Sequence, residues 1–277
     1  MTKNKTPPDR YALVGHPVEH SRSPLIHQLF ARQTGQSLTY ELIDAEPKAF
    51  EMAVRGFRAA GGKGLNVTVP HKEAAYALVD EASDAAKAAG AVNTITLSDG
   101  RLRGDNTDGV GFIRDLTVNQ RQTIAARRVL LLGAGGAARG LVAPLLAARP
   151  TALVIANRTK DRAQRLVEQF ANPAVLEAVA FAELTGAAPF EILINATSAG
   201  LKGEAPPFPG SLIDPQSFCY DLVYSVKDTP FVLWARQHGA ARAVQGWGML
   251  IEQAAESFQT WRGVRPDTRP ILKQLAR

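Results

Sequence analysis

The sequence predicts an α/β protein built of two domains. Three observations carry this prediction: the chain length, the alternation of strand-like with helix-like segments, and the restart of that alternation near Arg128. At 277 residues, the chain reaches the size at which one hydrophobic core usually gives way to two. Its 45% hydrophobic and 21% charged residues are typical of globular proteins, which argues against disorder and against a coiled coil.

In the first third of the chain, short runs rich in β-branched and aromatic residues alternate with segments of helical period. The predicted strands are residues 11–15, 38–44 and 64–69. The predicted helices are residues 24–33, 47–60 and 71–79. Ser23 suits the cap of the first helix and Pro24 its first turn. An Asp99-Gly100 turn between residues 91–97 and 101–104 predicts a hairpin that closes this sheet.

The second series begins with an apolar strand at residues 129–133 and predicts a parallel sheet. Further strands are expected at residues 153–156, 191–195 and 219–223. Helices are expected at residues 137–148, 160–170, 230–238 and 249–261, and a proline-rich loop at 203–209. Pro144 is expected to kink the first of these helices. Strand, helix and strand follow one another within about thirty residues, which indicates parallel strands joined by a right-handed crossover.

The charge balance and the single cysteine limit the function classes. The chain has 32 lysines and arginines against 26 aspartates and glutamates, a formal net charge of +6. This excess is compatible with an acidic ligand, although so modest a value is also typical of ordinary solvated surfaces. Cys219 is the only cysteine, so no internal disulfide forms and a reducing compartment is expected. With no apolar leader and no run of about 20 apolar residues, we expect a soluble, cytoplasmic protein.

A glycine-rich turn follows the first strand of the second series. Gly133-Ala134-Gly135-Gly136-Ala137-Ala138 matches the G-x-G-x-x-G/A dinucleotide fingerprint, with Ala138 in the last place. Glycines there let the backbone turn tightly and approach a pyrophosphate at the helix N-terminus. The alternative is a purely structural turn. Because a strand precedes the turn and a helix and a second strand follow it, we predict a Rossmann-like dinucleotide-binding domain.

The next strand ends in basic residues where NAD-binding proteins carry an acid. Its continuation is Asn157-Arg158-Thr159-Lys160-Asp161-Arg162. A carboxylate would repel a 2′-phosphate, whereas a guanidinium binds it with charge-assisted hydrogen bonds. Alternatively, Arg158 and Arg162 are only solvated residues of the following helix, but the helix dipole disfavours cations at that end. The predicted cofactor is therefore NADP.

Lys72 and Asp108 are the candidate acid/base pair of the first domain. Asn66-Val-Thr-Val-Pro-His-Lys72 runs from a strand into a helix, so Lys72 is expected in the first turn, where the helix dipole favours its neutral form. Asp108 precedes the helix expected at residues 109–116 and could instead be only its N-cap. A lysine and a carboxylate at the ends of strands can exchange protons with a carbonyl group.

Other catalytic constellations fail on inspection. Ala196-Thr-Ser198-Ala-Gly200 lacks the first glycine of a serine-nucleophile elbow. The sequence at Gly56–Gly62 lacks the lysine of a phosphate-binding Walker A loop. The five histidines have no metalloprotease spacing, and no metal is predicted.

Nine segments in order, spread over nearly the whole chain, resemble the shikimate dehydrogenase family. They are Gly15–Pro24, Asn66–Lys72, Ala91–Thr94, Asp105–Gly109, Gly133–Ala137, Asn157–Thr159, Asn195–Ser198, Tyr220–Tyr224 and Gly246–Gln253. The resemblance implies NADPH-dependent, reversible reduction of 3-dehydroshikimate to shikimate, a step of aromatic amino-acid (chorismate) biosynthesis. It also implies a substrate-binding catalytic domain at residues 1–107 and 248–277, an NADP-binding domain at 108–247, and a cleft between them.

The resemblance also implies roles for single residues. Lys72 and Asp108 match the catalytic pair, and Ser21 and Ser23 match the hydroxyls that bind the substrate carboxylate, although Ser23 could be only a helix cap. Further substrate contacts are matched by Asn66, Thr68, Asn93, Tyr224 and Gln253. Cofactor contacts are matched by Asp84, Gly133, Ala134, Gly135, Gly136, Ala137, Asn157, Arg158, Thr159, Lys160, Asp161, Arg162, Leu222 and Gly246. Leu222 and Trp247 depart from the residues usual in the family, methionine and a smaller apolar residue.

Two other functions compete with this interpretation. A quinate/shikimate dehydrogenase that uses either cofactor tends to carry an acidic residue near Thr159, so Asn157-Arg158-Thr159 argues against it. A non-catalytic dinucleotide-binding regulator is expected to lack the acid/base pair, and both Lys72 and Asp108 are present. We expect a small-molecule substrate, no nucleic-acid or membrane partner, and a monomer or homodimer.

Overall fold

The computed structural model describes residues 7–170, 174–197 and 208–275. Ser198 and the predicted loop as far as residue 207 lie outside the described residues. The chain divides into two compact units: the first unit is Met1–Gly111 with Ile251–Gln274, and the second is Phe112–Leu250 with Leu275–Arg277. Each unit contains one six-stranded sheet with helices, so the predicted α/β class is confirmed. No helix in the described ranges is long and apolar enough to cross a membrane.

The sheet of the first unit has the strand order β2-β1-β3-β5-β6-β4. Its strands are β1 (Asp9–Gly15), β2 (Leu38–Asp44), β3 (Gly62–Val67), β4 (Glu81–Ala82), β5 (Thr94–Ser98) and β6 (Arg101–Asp105). Its helices are α1 (Ser23–Thr34), α2 (Phe50–Ala59), α3 (Lys72–Leu78), α4 (Asp84–Ala89), the start of α5 (Asp108–Arg114), α9 (Trp247–Arg262) from Ile251 onward, and α10 (Arg269–Leu275) as far as Gln274.

One antiparallel strand, β5, places residues that are far apart in the sequence side by side in this sheet. β1 pairs in parallel with β2 and β3, whereas β5 is antiparallel to both β3 and β6, and the hairpin predicted at Asp99-Gly100 is confirmed. Thr94, which begins β5, therefore pairs with Asn66 near the end of β3 and with Asp105 at the end of β6. Polar side chains from three strands thus share one edge of the sheet.

The sheet of the second unit is entirely parallel, in the order β12-β11-β10-β7-β8-β9. Its strands are β7 (Arg128–Leu132), β8 (Ala152–Asn157), β9 (Leu176–Ala180), β10 (Ile192–Asn195), β11 (Phe218–Asp221) and β12 (Arg242–Gln245). Its helices include α6 (Gly136–Ala147), which contains Pro144, α7 (Lys160–Val167) and α8 (Pro230–Gln237). The predicted parallel sheet is confirmed.

The uniform hydrophobicity of β7 follows from burial on both faces of this sheet. Val129 and Leu131 pack into one apolar core, whereas Leu130 and Leu132 pack into another. Strands covered on both faces read as continuous apolar runs rather than as an alternating pattern. The glycine-rich turn therefore emerges from a strand that is fixed on both sides.

Two details of the predicted helix starts are wrong. Ser23 is not the cap of α1 but its first residue, because Arg22 occupies the cap position with helical backbone angles. Asp108 is likewise the first residue of α5, and its backbone N–H donates to Asn106 Oδ1 (3.1 Å). Both side chains are therefore available for contacts other than helix capping.

Candidate active site

Lys72 and Asp108 form a close, shielded ion pair. Lys72 Nζ lies 2.5 Å from Asp108 Oδ2, and the side chains are only 13% and 5% exposed. Each residue is the first of its helix, α3 and α5. The attraction between the two charges opposes the repulsion that Lys72 meets at the positive end of α3. The arrangement holds an ammonium donor at a fixed point beside a carboxylate.

Asn93 supports the carboxylate from the other side. Its Nδ2 donates to Asp108 Oδ1 (2.8 Å), and its Oδ1 accepts the backbone N–H of Thr107 (2.9 Å). Both contacts assign the same orientation to the amide, since the carboxylate only accepts and the N–H only donates. Asp108 is therefore held by Lys72 through one oxygen and by Asn93 through the other.

Asn66 is also oriented by its neighbours. Tyr40 donates its hydroxyl hydrogen to Asn66 Oδ1 (2.7 Å), and Asn66 Nδ2 donates to the backbone oxygen of Asn93 (3.2 Å) and to Ser257 Oγ (2.9 Å). Burial raises the pKa of Tyr40 well above its usual value, so the hydroxyl stays a donor. His27 stacks on Tyr40 with ring centroids 4.2 Å apart, and burial lowers the pKa of His27 to about 3.

The other residues predicted to bind substrate in the first unit lie at the start of α1, after β3 and on α9. Ser21 and Ser23 are joined through their hydroxyls (3.2 Å) at the start of α1. Half-buried Thr68 follows β3 and lies beside Gly15. Gln253 on α9 presents Oε1 3.4 Å from Asn93 Nδ2. The structure thus brings together Asn66, Asn93, Asp108 and Gln253.

Tyr224 belongs to the second unit. It follows β11, and its ring lies 4.8 Å from that of Trp247. Asp221 at the end of β11 accepts hydrogen bonds from Asn195, Thr229 and the backbone N–H of Val223. Burial raises the pKa of Asp221 to about 6, while these hydrogen bonds act in the opposite direction. The segment that carries Leu222 and Tyr224 is anchored by this buried carboxylate.

The turn after β7 fits a dinucleotide pyrophosphate. Gly133 has a φ of +108°, which favours glycine, and its N–H donates to the Ala156 oxygen (2.7 Å). The cap of α6 is Gly135, with no side-chain cap and no acidic residue in the first turn. A Cβ added to Gly135 would meet no atom within 4 Å. The helix N-terminus, with Gly136 and Ala137 partly exposed, is thus open to an anion.

The basic residues after β8 differ in whether their side chains already have an ion-pair partner. Lys160 Nζ is paired with Glu183 Oε1 (2.7 Å). Arg158 and Arg162 are exposed, and within the described residues neither has a side-chain ion pair or hydrogen bond. Asn157 donates to the Thr159 carbonyl (2.8 Å), and Thr159 and Asp161 are exposed. The two arginines are therefore better placed than Lys160 to bind a phosphate.

The remaining cofactor candidates lie apart from this turn in sequence. A Cβ on Gly246 would lie 2.3 Å from the Leu222 oxygen, so only glycine permits this backbone approach. Asp84 is in the first unit, where its fully exposed carboxylate lies 3.6 Å from Lys87 Nζ.

Cys219 is buried, and its pKa is raised to about 12 by burial. A thiol that stays protonated is a poor nucleophile.

Sequence reasoning missed three buried hydroxyls of the first unit. Thr94 Oγ1 lies 2.7 Å from Ser257 Oγ, and Thr107 Oγ1 lies 3.0 Å from Asn93 Nδ2. The available signal for Ser257 was its spacing, because it is a small polar residue one helical turn after Gln253 on α9.

Three family models match the chain. The model for the shikimate dehydrogenase substrate binding domain matches residues 13–95, the model for shikimate / quinate 5-dehydrogenase matches residues 115–202, and the model for the shikimate 5'-dehydrogenase C-terminal domain matches residues 246–276. The order of the three matches along the chain is that of the motifs noted in the sequence.

Individual relatives match over nearly the full length. A shikimate dehydrogenase (NADP(+)) from Alkalilimnicola ehrlichii is 57% identical over 96% of this chain and 98% of its own. The crystal structure of an Ael1 enzyme from Pseudomonas putida is 44% identical, covers 97% and 98% of the two chains, and has a TM-score of 0.89. Shikimate 5-dehydrogenase from Thermus thermophilus, in complex with NADP(H) and shikimate, is 34% identical over 96% and 97%, with a TM-score of 0.85. Likeness of this extent in both sequence and fold places the chain in the shikimate dehydrogenase family, to which it belongs.

Proposed function

We propose that this protein catalyses the reversible, NADPH-dependent reduction of 3-dehydroshikimate to shikimate in aromatic amino-acid (chorismate) biosynthesis. The observation that carries the proposal is the Lys72–Asp108 pair, set among buried amides at one edge of the first sheet. The protein is accordingly an oxidoreductase that acts on a CH–OH group. Membership of the family supports the same activity, since the Alkalilimnicola relative is a shikimate dehydrogenase (NADP(+)).

Lys72 is the proton donor in this reaction. When bound, NADPH supplies the hydride that the carbonyl carbon receives. Lys72 Nζ donates a proton to the carbonyl oxygen as it becomes the hydroxyl of the product, and it takes the proton back in the reverse direction. Asp108 orients Lys72 through Oδ2, 2.5 Å from Nζ, and accepts a hydrogen bond from the substrate. General acid catalysis of this kind contributes about 10²–10⁴-fold to the rate.

The polar residues of the first unit suit a hydroxylated carboxylic acid. Ser21 and Ser23 donate their hydroxyl hydrogens to the substrate carboxylate. Amide side chains both donate and accept, so they match ring hydroxyls, which do the same. Ring hydroxyls or the carboxylate are bound by Asn66, Thr68, Asn93, Tyr224 and Gln253.

The second unit binds NADP. Gly133, Ala134, Gly135, Gly136 and Ala137 form the turn that receives the pyrophosphate, where the open N-terminus of α6 supports this role. Arg158 and Arg162 bind the 2′-phosphate. Their positive charge attracts it, and their exposure leaves both residues accessible. Further contacts are assigned to Asp84, Asn157, Thr159, Lys160, Asp161, Leu222 and Gly246.

The two domains have separate binding roles, and the enzyme has an expected location and oligomeric state. Residues 1–107 and 248–277 bind substrate, and residues 108–247 bind NADP. The enzyme acts in the cytoplasm as a monomer or homodimer, with neither nucleic acid nor membrane as partner. The single buried cysteine is consistent with a reducing compartment.

The test measures the turnover of two substrates with two cofactors from the absorbance of the reduced cofactor. Purified protein is given shikimate or quinate, each with NADP or NAD. We expect turnover with shikimate and NADP that exceeds every other combination by at least about tenfold, a difference of about 1.4 kcal/mol in transition-state stabilisation. Equal turnover of quinate, or equal use of NAD, would instead establish the broad quinate/shikimate dehydrogenase. Absence of turnover in all four combinations would reject the proposal.

A further inference from the structure

Ser257 lies at the centre of the buried polar cluster of the first unit. Its side chain is 0% exposed and sits on α9, one helical turn after Gln253. Ser257 Oγ lies 2.9 Å from Asn66 Nδ2, 2.7 Å from Thr94 Oγ1 and 3.1 Å from the backbone oxygen of Gln253. No step of the reaction described above uses this hydroxyl.

The hydrogens of this cluster can be assigned. A serine hydroxyl donates one hydrogen and accepts two. Because Asn93 Oδ1 only accepts, the Thr94 hydroxyl donates to it, so Ser257 donates its own hydrogen to Thr94 Oγ1 and accepts from Asn66 Nδ2. Ser257 is then both the acceptor for Asn66 and the donor to Thr94. Removal of this hydroxyl takes the shortest of its hydrogen bonds from Asn66 Nδ2 (2.9 Å) and removes a donor to Thr94 Oγ1, both at buried positions.

The same cluster continues to the catalytic carboxylate. Thr94 Oγ1 lies 2.9 Å from Asn93 Oδ1, and Asn93 Nδ2 donates to Asp108 Oδ1 (2.8 Å). Every member of the path from Asn66 to Asp108 is buried. Buried polar networks of this kind lock the orientation of their members, since an alternative arrangement leaves polar groups unpaired.

We infer that Ser257 is a positioning residue for the reaction. Its hydroxyl orients the amide of Asn66 and, through Thr94 and Asn93, the carboxylate of Asp108. The inference rests on the proposed function, because Asn66 and Asp108 are the groups that receive shikimate. If this hydroxyl only fastened α9 to the sheet, its removal would lower stability but would not weaken shikimate binding more than NADP binding.

The first experiment compares Ser257→Ala with the control Ser217→Ala. Ser217 is also 0% exposed, and its hydroxyl donates to the Phe190 oxygen (2.6 Å) in the second unit. For Ser257→Ala we expect kcat/KM for shikimate to fall by about tenfold and shikimate Kd, measured by calorimetry without cofactor, to rise about three- to tenfold. The KM for NADP should stay within about twofold. Ser217→Ala should lower Tm and leave kcat/KM for shikimate unchanged.

A second variant keeps the test independent of the folding of Ser257→Ala. Thr94→Val preserves the side-chain shape and removes the hydroxyl that links Ser257 to Asn93. It should weaken shikimate binding selectively as well, and Ser257→Ala should add little in the Thr94→Val background, since both changes break one path. Additive losses, or an equal loss of shikimate and NADP binding, would overturn the inference. Because wild-type turnover is measured alongside, failure of the proposed function itself appears as an inactive wild type.

Discussion

At the scale of single residues, the site depends on which charges are already paired. Lys72 and Asp108 are paired with each other in a shielded position, whereas Lys160 is paired with a remote glutamate and Arg158 is exposed. Residues that look alike in the sequence therefore differ in what they can offer a ligand. Substitutions at these positions separate proton transfer from binding.

Replacement of Lys72 by alanine should affect the chemical step. We expect kcat to fall about 10²–10⁴-fold, because the proton donor is lost, with a much smaller change in the KM for shikimate. Steady-state kinetics with shikimate and NADP measure both values. Lys63→Ala, which changes an exposed lysine of β3, serves as the control and should behave as wild type. A change in KM alone would make Lys72 a binding residue.

Replacement of Arg158 by alanine should affect discrimination between cofactors. The NADPH KM should rise about tenfold or more, since a charge-assisted hydrogen bond is worth about 1.5–3 kcal/mol, while the NADH KM stays nearly unchanged. Lys160→Ala is the matched control, because Glu183 already holds that ammonium 2.7 Å away, and its effect should be smaller. An equal loss with both cofactors would contradict the assignment of the 2′-phosphate to Arg158.

At the scale of elements, the predicted strands and helices agree with the structure where periodicity is strong and local. β2 has the predicted bounds, and the apolar strand β7, the turn and α6 follow one another as expected. β9 (Leu176–Ala180) and β12 (Arg242–Gln245) were missed because charged or polar residues interrupt them, so they lack the continuous apolar run that marks the equally short β10. The sequence motifs indicated Lys72 and Asp108, but not the hydroxyl of Ser257, whose contact with Asn66 joins residues 191 positions apart.

The turn between β7 and α6 yields a prediction that separates folding from binding. Gly135→Ala should leave Tm unchanged, because φ is −86° and no atom lies within 4 Å of an added Cβ. The methyl group should nevertheless raise the NADPH Kd by about tenfold or more, since the backbone must approach the pyrophosphate there. Fluorescence titration of NADPH measures this. Gly56→Ala in α2, which also adds a Cβ in open space, should leave Kd unchanged; wild-type affinity in Gly135→Ala would exclude the turn from the cofactor site.

At the scale of the whole molecule, we expect a carboxylate buried away from the Lys72–Asp108 pair to shape the dependence of stability on pH. Asp221 is the clearest case, because burial raises its pKa from 3.8 to about 6 despite three hydrogen bonds. The folded state thus binds a proton more tightly than the unfolded chain does. Its contribution to stability is most favourable below about pH 4 and is lost as pH rises to about 6, a change of about 3 kcal/mol.

Asp221→Asn should remove this part of the pH dependence. Relative to wild type, the variant should gain stability between about pH 4 and pH 7, because its amide stays neutral throughout. Urea unfolding at several pH values measures the difference. Asp99→Asn, at an exposed turn, should run parallel to wild type over the same range. A constant difference between Asp221→Asn and wild type would show that burial of this carboxylate does not govern the pH response.

The division of the first unit along the chain has a consequence for synthesis. That unit needs Ile251–Gln274 as well as residues up to Gly111, whereas the second unit is almost continuous from Phe112 to Leu250. A ribosome therefore delivers Lys72 and Asp108 early but Ser257 and Gln253 only near the end, after nearly all of the second unit has been made. The second unit can fold first, and a chain interrupted before α9 contains both Lys72 and Asp108 without the helix that completes their surroundings.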